Sequence, residues 1–385
     1  MDLSALHKTC LVASYPDRGL ALVRGEGAYL LSAAGESYLD LMTNYGVNIL
    51  GYRHSVLNGA LAAQIEALPT LHCSFANDVR VRASRSLLNR LGGDYGALYW
   101  ANSGAEAIEA ALKFAVLATG KKKFVACRNG YHGKTLGALS ATHGAKYRAH
   151  FEPLLWEFVH VDFDDPSRLE ERIDGNTAAF IVEPAQGEAG VRFPRDGYLR
   201  AVREICANKG VLLILDEIQT GCGRTGRFLA SDREGVRADI LCLGKGLAGG
   251  IPVGVAAVSA EVAGAISKGV QTSTFGGNPL ACAGVLAVLD VLTDELLARI
   301  GDLGSWWIGF LKTISSPAIK EIRGRGLMIG IEVEGDRDRI LRDLQRNRIL
   351  AIPAGDDVVR FLPPYIVDKQ QLVAAADTLA GVLAG

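Results

Sequence analysis

Two mostly apolar runs in the middle of the chain each lead to a residue that can do chemistry. Residues 211–215 run directly into Asp216, and residues 239–243 lead through a glycine to Lys245. Runs of this kind alternate with helical patterns along the chain, which is typical of a mainly parallel sheet flanked by helices. Because open α/β sheets place their chemistry at the carboxyl ends of the strands, we expect Asp216 and Lys245 at one sheet edge.

An acid and a lysine at one sheet edge suit a pyridine aldehyde cofactor. The lysine can form a Schiff base with the aldehyde, and the acid can keep the ring nitrogen protonated. A strand that ends in an acid is also typical of the Walker B segment of an ATPase. Gly133-Lys134-Thr135 resembles the end of a P-loop, but Arg128 stands where a P-loop requires its first glycine. This spacing excludes the ATPase, while an isolated lysine among glycines could still be a solvated loop residue.

The remaining elements follow from hydrophobic periodicity and from turn and cap residues. The two ends of the chain differ from the middle: residues 20–40 alternate like hairpins, and residues 286–385 combine long helices with a β-like segment at 326–333. The predicted strands of the middle are 97–100, 123–127, 178–182, 211–215, 239–243 and 253–258. The predicted helices are 105–118, 196–208, 279–292 and a closing helix at 368–383.

Seven motifs together resemble the class III pyridoxal-phosphate-dependent aminotransferases, the group that includes acetylornithine, ornithine and ω-amine aminotransferases. They occur in the order of that family and cover residues 15–365. The motifs are Asn102-Ser103-Gly104-Ala105-Glu106-Ala107, Tyr131-His132-Gly133-Lys134-Thr135, Glu183-Pro184-Ala185-Gln186-Gly187-Glu188, Asp216-Glu217-Ile218-Gln219-Thr220-Gly221, Gly223-Arg224-Thr225-Gly226, Gly244-Lys245-Gly246 and Ser273-Thr274-Phe275-Gly276-Gly277-Asn278-Pro279-Leu280.

The resemblance implies an α/β fold, the pyridoxal-phosphate-dependent transferase fold type I. In that fold a mostly parallel central sheet is flanked by helices, and both chain ends build a smaller α+β domain. We therefore expect residues 1–50 to form the first part of the small domain and residues 51–285 the large cofactor domain. Residues 286–385 would complete the small domain.

The cofactor phosphate has a predicted site at the start of the helix 105–118. Free N–H groups and the helix dipole at such an end favour an anion, and Ser103, Gly104 and Ala105 lie there. An ordinary helix cap is the alternative explanation of this pattern. The resemblance implies that Thr274 completes the phosphate site from a neighbouring subunit, so we expect a homodimer with shared active sites.

The resemblance also assigns residues around the pyridine ring. Tyr131 corresponds to the aromatic residue that stacks on the ring, although a buried core tyrosine would fit the same position. Asp216 is expected at the ring nitrogen and Gln219 on the side of the 3-hydroxyl group. Lys245 is expected to hold the cofactor as a Schiff base and then to act as general base in the proton shift. The matching motifs add two further cofactor contacts, His132 and Glu183.

Lys134 leaves more than one class of amine donor open. The acetylornithine and ornithine members of the family have an arginine here, which grips a substrate carboxylate with two parallel hydrogen bonds. The segment from Tyr131 to Thr142 is closer to the putrescine members, whereas the chain length is that of the acetylornithine group. Lys134 could also be a solvated loop residue.

A second carboxylate site is indicated by Arg360, which corresponds to the family arginine that receives the α-carboxylate of glutamate or 2-oxoglutarate. Glu188 resembles the acid that pairs with this arginine when the substrate has no carboxylate there, so the pair would switch between two substrates. A purely structural ion pair is the alternative. Tyr45 corresponds to a tyrosine at the substrate mouth, and Ser273 to a residue that lines the mouth from the partner chain.

These assignments predict transfer of a terminal amino group from an acetylornithine- or ornithine-type donor to 2-oxoglutarate, giving a semialdehyde and glutamate. Putrescine or another diamine, a lysine derivative and 4-aminobutyrate remain alternative donors. An aminomutase or a decarboxylase on the same scaffold would show no return of the cofactor by 2-oxoglutarate. A regulator that only senses the cofactor would need a DNA-binding segment, and the sequence has no pattern for one.

Composition is consistent with this prediction. The net charge is −1 and gives no basic surface for nucleic acid or membranes. Seven cysteines without C-x-x-C pairs favour reduced thiols in a cytoplasmic protein over a zinc site or disulfides. No uncharged apolar stretch approaches the length of a membrane span, and the N-terminus has no pattern of a leader peptide.

Overall fold

A seven-stranded sheet lies at the centre of the computed structural model, which describes residues 3–93 and 95–385. Met1 and Asp2, at the start of the predicted segment 1–50, lie outside the described residues. In chain order the strands are β1 (Leu22–Glu26), β2 (Tyr29–Ser32), β3 (Ser37–Asp40), β4 (Tyr95–Ala101), β5 (Lys123–Cys127), β6 (Glu157–Val161), β7 (Thr177–Val182), β8 (Leu212–Asp216), β9 (Ile240–Leu243), β10 (Gly254–Ser259), β11 (Ile319–Arg325), β12 (Met328–Val333), β13 (Ile349–Leu350), β14 (Ile352–Ala354) and β15 (Val358–Phe361).

The central sheet has the order β4-β10-β9-β8-β7-β5-β6. Strands β9, β8, β7, β5 and β6 are parallel, which confirms the predicted mostly parallel sheet. Strand β10 runs antiparallel to both of its neighbours, β9 and β4. The reason is the short connection of residues 244–253 between β9 and β10, because a parallel crossover needs a dozen or more residues.

The six predicted strands of the middle are all present, with ends that differ by at most two residues, but β6 was not predicted. Its sequence, Glu-Phe-Val-His-Val, lies at the sheet edge and is only partly buried. An edge strand with two charged or titratable residues does not give the continuous apolar run of a strand that is covered on both faces.

Helices cover both faces of the central sheet. The predicted helix 196–208 begins later, at Tyr198, because Gly197 before it has a left-handed φ of 93°. The helices are Leu3–Cys10, Ser55–Ala67, Asp78–Leu91, Gly104–Thr119, Leu136–Ala141, Ala145–Arg148, Pro166–Arg172, Tyr198–Lys209, Ala260–Gly264, Pro279–Val291, Asp294–Leu311, Arg337–Arg346 and Lys369–Ala384, with 3₁₀ turns at Ala230–Arg233 and Lys245–Ala248.

Two four-stranded sheets flank the central one and bring the two chain ends together. In the first, β13 pairs in parallel with β3, opposite Leu39 and Asp40. The second has the order β11-β12-β15-β14 and carries Arg360 opposite Gly330. The predicted domain boundaries after residues 50 and 285 stay a prediction, and the second falls inside the helix Pro279–Val291. Within the described residues, no helix is both long and apolar enough to cross a membrane.

Candidate active site

Asp216 and Lys245 come from neighbouring parallel strands and lie at the same sheet edge. Asp216 is the last residue of β8 and is opposite Cys242 of β9, and the chain then continues through Gly244 to Lys245. Asp216 is buried. Lys245 opens a 3₁₀ turn with a left-handed φ of 45°, a conformation that few non-glycine residues adopt outside functional sites.

The amine of Lys245 lies in an environment that favours its neutral form. Burial lowers the pKa of Lys245, and the nearby carboxylates of Glu188 and Asp216 act in the opposite direction. No ion pair involves Lys245 within residues 3–93 and 95–385. A lysine with a lowered pKa and no ion pair is a stronger nucleophile than a solvated one.

His132 is the partner of Asp216. Its Nδ1 lies 2.7 Å from Asp216 Oδ2, while Asp216 Oδ1 accepts a hydrogen bond from the backbone N–H of Ile218 at 3.0 Å. The side chain of His132 is buried, and its Nε2 has no hydrogen-bond partner among the described residues. Burial lowers the pKa of His132, but the hydrogen bond and charge of Asp216 outweigh burial, so the pKa is raised overall. The pair therefore favours a charged imidazolium beside a carboxylate.

Glu183 is a second buried acid close to this pair. Its Oε1 accepts a hydrogen bond from the backbone N–H of Tyr131 at 2.9 Å. Burial raises the pKa of Glu183 to about 7, although the charge of His132 opposes the shift. Glu183 thus fixes the backbone at Tyr131, the residue predicted to stack on the pyridine ring.

The predicted phosphate site is the N-terminus of the helix Gly104–Thr119. Ser103 is the N-cap residue, and its Oγ accepts a hydrogen bond from the N–H of Glu106 at 3.1 Å. The N–H groups of Gly104 and Ala105 belong to the first turn, where a helix offers no internal acceptor. A Cβ on Gly244 would lie 3.3 Å from the Cα of Gly104, so this helix end closely approaches the backbone before Lys245.

Ser273 and Thr274 lie in a loop beside this helix end. Ser273 Oγ accepts hydrogen bonds from Asn102 Nδ2 at 3.1 Å and from the N–H of Gly276 at 3.0 Å. Thr274 is exposed, as is Phe275 next to it. Ser273 is therefore anchored to the phosphate-site loop of its own chain. The predicted roles of both residues in a partner's site stay predictions.

Arg360 is fully buried and connects two further predicted residues. Its Nη2 donates to Glu188 Oε1 at 2.7 Å, and its Nη1 donates to Gln219 Oε1 at 3.0 Å. Burial raises the pKa of Glu188, but Arg360 outweighs burial and holds the pKa below its usual range. Gln219 thus uses its carboxamide oxygen on Arg360, and its predicted contact with the 3-hydroxyl group stays a prediction.

Tyr45 reaches this guanidinium from an unusual backbone segment. The Tyr45 ring centroid lies 5.9 Å from Arg360 Cζ. Thr43, Asn44 and Tyr45 all have positive φ, at 44°, 51° and 60°, in the turn Thr43–Gly46. Left-handed backbone costs about 1 to 2 kcal/mol per residue outside glycine. The structure offsets this cost by anchoring the Thr43 hydroxyl to the carbonyl of Leu362 at 2.7 Å.

Lys134 lies against Tyr147, a contact that the sequence did not predict. Its Nζ is 5.6 Å from the ring centroid of Tyr147, and the Tyr147 ring meets the Tyr131 ring edge-on at 5.5 Å. Lys134 is exposed, and Tyr147 is half-buried. Tyr147 belongs to the short helix Ala145–Arg148, and a tyrosine after a lysine carries no motif by itself, so only the fold reveals this contact.

Arg224 is a second residue whose role the sequence did not predict, although its motif was recognised. It is fully buried, and its Nη1 donates to the carbonyls of Leu327 at 3.0 Å and Pro363 at 2.6 Å. The Tyr365 ring lies 4.9 Å from its Cζ. Arg224 therefore ties the loop after β8, which carries Gln219, to the segment that follows Arg360.

The residues at this edge fit pyridoxal phosphate. The cofactor needs an amine for its aldehyde, an acid for its ring nitrogen and donors for its phosphate. Lys245 offers the amine without an ion pair, and Asp216 offers a buried carboxylate held by His132. The first-turn N–H groups of the helix Gly104–Thr119 offer the phosphate donors.

Comparisons with known proteins agree with this geometry. The family described as Aminotransferase class-III matches residues 13–383. Acetylornithine aminotransferase of Methanopyrus kandleri is 42% identical over 388 residues, which cover 100% of this chain and 99% of the relative. The LysW-aminoadipate semialdehyde/glutamate semialdehyde transaminase of Sulfolobus acidocaldarius is 39% identical over 372 residues, 96% of each protein.

A solved structure gives the same result for the fold. An ornithine aminotransferase from Toxoplasma gondii, described with partial occupancy of PLP at its active site, has a TM-score of 0.94 and 37% identity. The match covers 98% of this chain and 93% of that one. The chain therefore belongs to the class III aminotransferases and is a pyridoxal-phosphate-dependent aminotransferase with the type I fold.

Proposed function

We propose that the enzyme transfers the terminal amino group of an acetylornithine- or ornithine-type donor to 2-oxoglutarate, giving a semialdehyde and glutamate. The observation that carries this proposal is the pair of Arg360 and Glu188. A fully buried guanidinium is neutralised by an acid whose side chain is 24% exposed, so the acid can be displaced. The names of the relatives from Methanopyrus kandleri and Toxoplasma gondii support a donor of this class.

Arg360 would pair with a different carboxylate for each of the two substrates. When 2-oxoglutarate or glutamate enters, its carboxylate would take the place of Glu188 on Nη2 of Arg360. The hydrogen bond from Nη1 to Gln219 would hold the guanidinium in position during this exchange. When the amine donor enters, Glu188 returns and keeps the buried cation neutralised. A buried arginine left without any carboxylate would cost several kcal/mol, which makes exchange of one acid for another the favourable course.

The chain's own residues would hold the cofactor and move the proton. Ser103, Gly104 and Ala105 would bind the phosphate, and Tyr131 would cover the ring. Asp216, oriented by His132, would keep a proton on the ring nitrogen. Pyridoxal phosphate, when bound, supplies a conjugated ring that withdraws electrons from the substrate carbon.

Lys245 would act at the reacting carbon itself. Burial lowers the pKa of Lys245 and so favours the neutral amine, the form that can accept a proton from the substrate carbon and return it. The proton shift then needs no water at the site. Lys245 would thus have two roles, holding the cofactor in the resting enzyme and serving as the base when substrate is bound.

A homodimer with shared sites is part of this proposal. Thr274 would contribute to the phosphate site of the partner subunit, and Ser273 would line the partner's substrate mouth. The loop that carries them supports this, because Phe275, next to Thr274, is 59% exposed to solvent in the single subunit. Aromatic side chains are enriched at protein interfaces, so an exposed phenylalanine beside Thr274 supports contact with a partner subunit there.

The second candidate function is transamination of putrescine or another diamine. Lys134 favours it, because the family arginine that grips a donor carboxylate is absent. Lysine derivatives and 4-aminobutyrate are further alternative donors, and the relative from Sulfolobus acidocaldarius is named for aminoadipate semialdehyde and glutamate semialdehyde.

One experiment tests the Lys245 assignment and the donor together. Borohydride reduction of the holoenzyme should attach the cofactor to the peptide that contains Lys245, as read by mass spectrometry. The holoenzyme is then mixed separately with acetylornithine, ornithine, putrescine, lysine and 4-aminobutyrate, and the cofactor absorbance is followed. We expect acetylornithine or ornithine to react fastest and 2-oxoglutarate to restore the spectrum. Cofactor on another lysine, or reaction with putrescine but not acetylornithine, would contradict the proposal.

A further inference from the structure

A second lysine, Lys146, contacts the Tyr147 ring and lies outside the seven family motifs. Lys146 Nζ lies 5.1 Å from the Tyr147 ring centroid, compared with 5.6 Å for Lys134 Nζ. Both distances are within the range of cation–π attraction. Two ammonium groups therefore share one aromatic ring, which packs against Tyr131.

The position of this ring is fixed by its surroundings. Tyr147 packs edge-on against Tyr131, whose backbone N–H is held by Glu183. Arg148, the next residue, donates from Nη1 to the carbonyls of Ser140 at 2.9 Å and Thr142 at 3.1 Å. The short helix Ala145–Arg148 is thereby tied to the end of the preceding helix, so Lys146 is held at the mouth.

The two ammonium groups are not neutralised by the protein. Neither Lys134 nor Lys146 has an ion-pair partner anywhere in the described part of the chain. The charge of Lys146 reaches Glu188 and contributes to the lowering of its pKa, but Glu188 is already paired with Arg360. Glu183 and Asp216 are buried and hydrogen-bonded to other groups, and Glu109 accepts from the N–H groups of Gly137 and Ala138 without forming an ion pair with either lysine. An excess of positive charge thus remains at this side of the mouth.

We propose that Lys134 and Lys146, held on Tyr147, form a paired-lysine site for the carboxylate at the end of the amine donor remote from the reacting amine. The inference rests on the proposed function and names Lys146 and Tyr147 as residues that determine specificity. Two ammonium groups replace the planar fork of one arginine, so they attract an anion without dictating its orientation. The same charges repel the second amine of a diamine.

The test compares donors in the first half-reaction of the holoenzyme, without 2-oxoglutarate. The variants are Lys146→Gln and Tyr147→Leu, with Tyr147→Phe as the matched control that keeps the ring and Lys312→Gln as the control for an exposed lysine elsewhere. We expect Lys146→Gln to raise the half-saturating concentration of acetylornithine about fivefold, the scale of a solvent-accessible ion contact. The half-saturating concentration of putrescine should fall, because a repulsive charge is removed. Added salt should weaken acetylornithine binding less in Lys146→Gln than in the wild type.

Tyr147→Leu should give the same pattern as Lys146→Gln, and both control variants should behave like the wild type. The half-saturating concentration of glutamate, which uses Arg360, should change less than that of acetylornithine in Lys146→Gln, because Lys146 acts on Glu188 only through its charge and forms no ion pair with it. Equal changes for acetylornithine and putrescine, or no change for either, would overturn the paired-lysine site and leave the proposed function intact. A wild-type enzyme that takes putrescine and no carboxylated donor would overturn both.

Discussion

The two sides of the active site are built on opposite principles. At the ring end, formed by His132, Asp216 and Glu183, every charged side chain is buried and hydrogen-bonded. At the mouth, formed by Lys134, Lys146 and Tyr147, the two charges are exposed and held only by an aromatic ring. Buried charges must be paired, whereas exposed ones need no partner.

This difference indicates which part of the site can change at low cost. Replacing His132 or Asp216 leaves an uncompensated charge in the interior, so it affects folding as well as chemistry. Replacing a lysine at the mouth alters only exposed charge. The chemistry is therefore fixed by residues on which stability also depends, and the donor is selected by residues that stability hardly restricts.

The largest effect on stability should come from replacing His132 at the ring end. His132→Phe removes the partner of Asp216 and should lower the free energy of unfolding by about 3 to 5 kcal/mol, the cost of an unpaired buried charge. Urea unfolding of the cofactor-free protein at pH 7 measures it. His132→Asn is the matched variant, because its amide can still donate to Asp216, and it should lose less. Equal losses in the two variants would show that packing, and not the hydrogen bond, stabilises this end.

A medium effect should appear in the pH dependence of stability through Glu183. Its pKa is about 7 in the folded protein and near 4.5 when exposed, so between these values the folded state holds one more proton. The stability that Glu183 contributes is therefore present below pH 4.5 and is lost as pH rises through 7. In Glu183→Gln the slope should be flatter by up to about 1.4 kcal/mol per pH unit. The exposed Glu66→Gln serves as control, and equal slopes in wild type and Glu183→Gln would contradict the shift.

The smallest effect on stability should come from the mouth. Lys134→Arg should change the free energy of unfolding by no more than about 0.5 kcal/mol, since the side chain is exposed. The same variant should lower the half-saturating concentration of carboxylated donors about threefold, because a planar fork can make two parallel hydrogen bonds. Donor titrations and thermal unfolding check the two parts. Unchanged selectivity would show that Lys134 does not face the donor carboxylate.

The sequence predicted the parts of the fold that local pattern controls. Continuous apolar runs revealed the strands around β8, because a central parallel strand is covered on both faces. Ser103 before an alanine-rich stretch predicted the helix Gly104–Thr119 and its cap. The edge strand β6 and the reversed direction of β10 were not visible, because both depend on sheet position and on connection length.

The predicted site residues were found from motifs, but their partners were not. His132 and Asp216 are 84 residues apart in the chain, and nothing local predicts their hydrogen bond. Arg224 and Pro363 are likewise brought together only when the two chain ends fold against the central sheet. Contacts between distant segments leave no local pattern in the sequence. Motifs can therefore identify the site residues but not the contacts that these residues make.

The sequence by itself determined that a strand ends in Asp216, that Lys245 follows the next strand, and that both belong to a pyridoxal-phosphate-dependent aminotransferase. These properties follow from apolar runs and motif spacing, which are local. Only the tertiary structure showed that His132 holds Asp216, that Gln219 and Glu188 share Arg360, and that Lys146 joins Lys134 on Tyr147. Burial and charge pairing are properties of the packed chain, because they depend on which distant segments exclude water from each group.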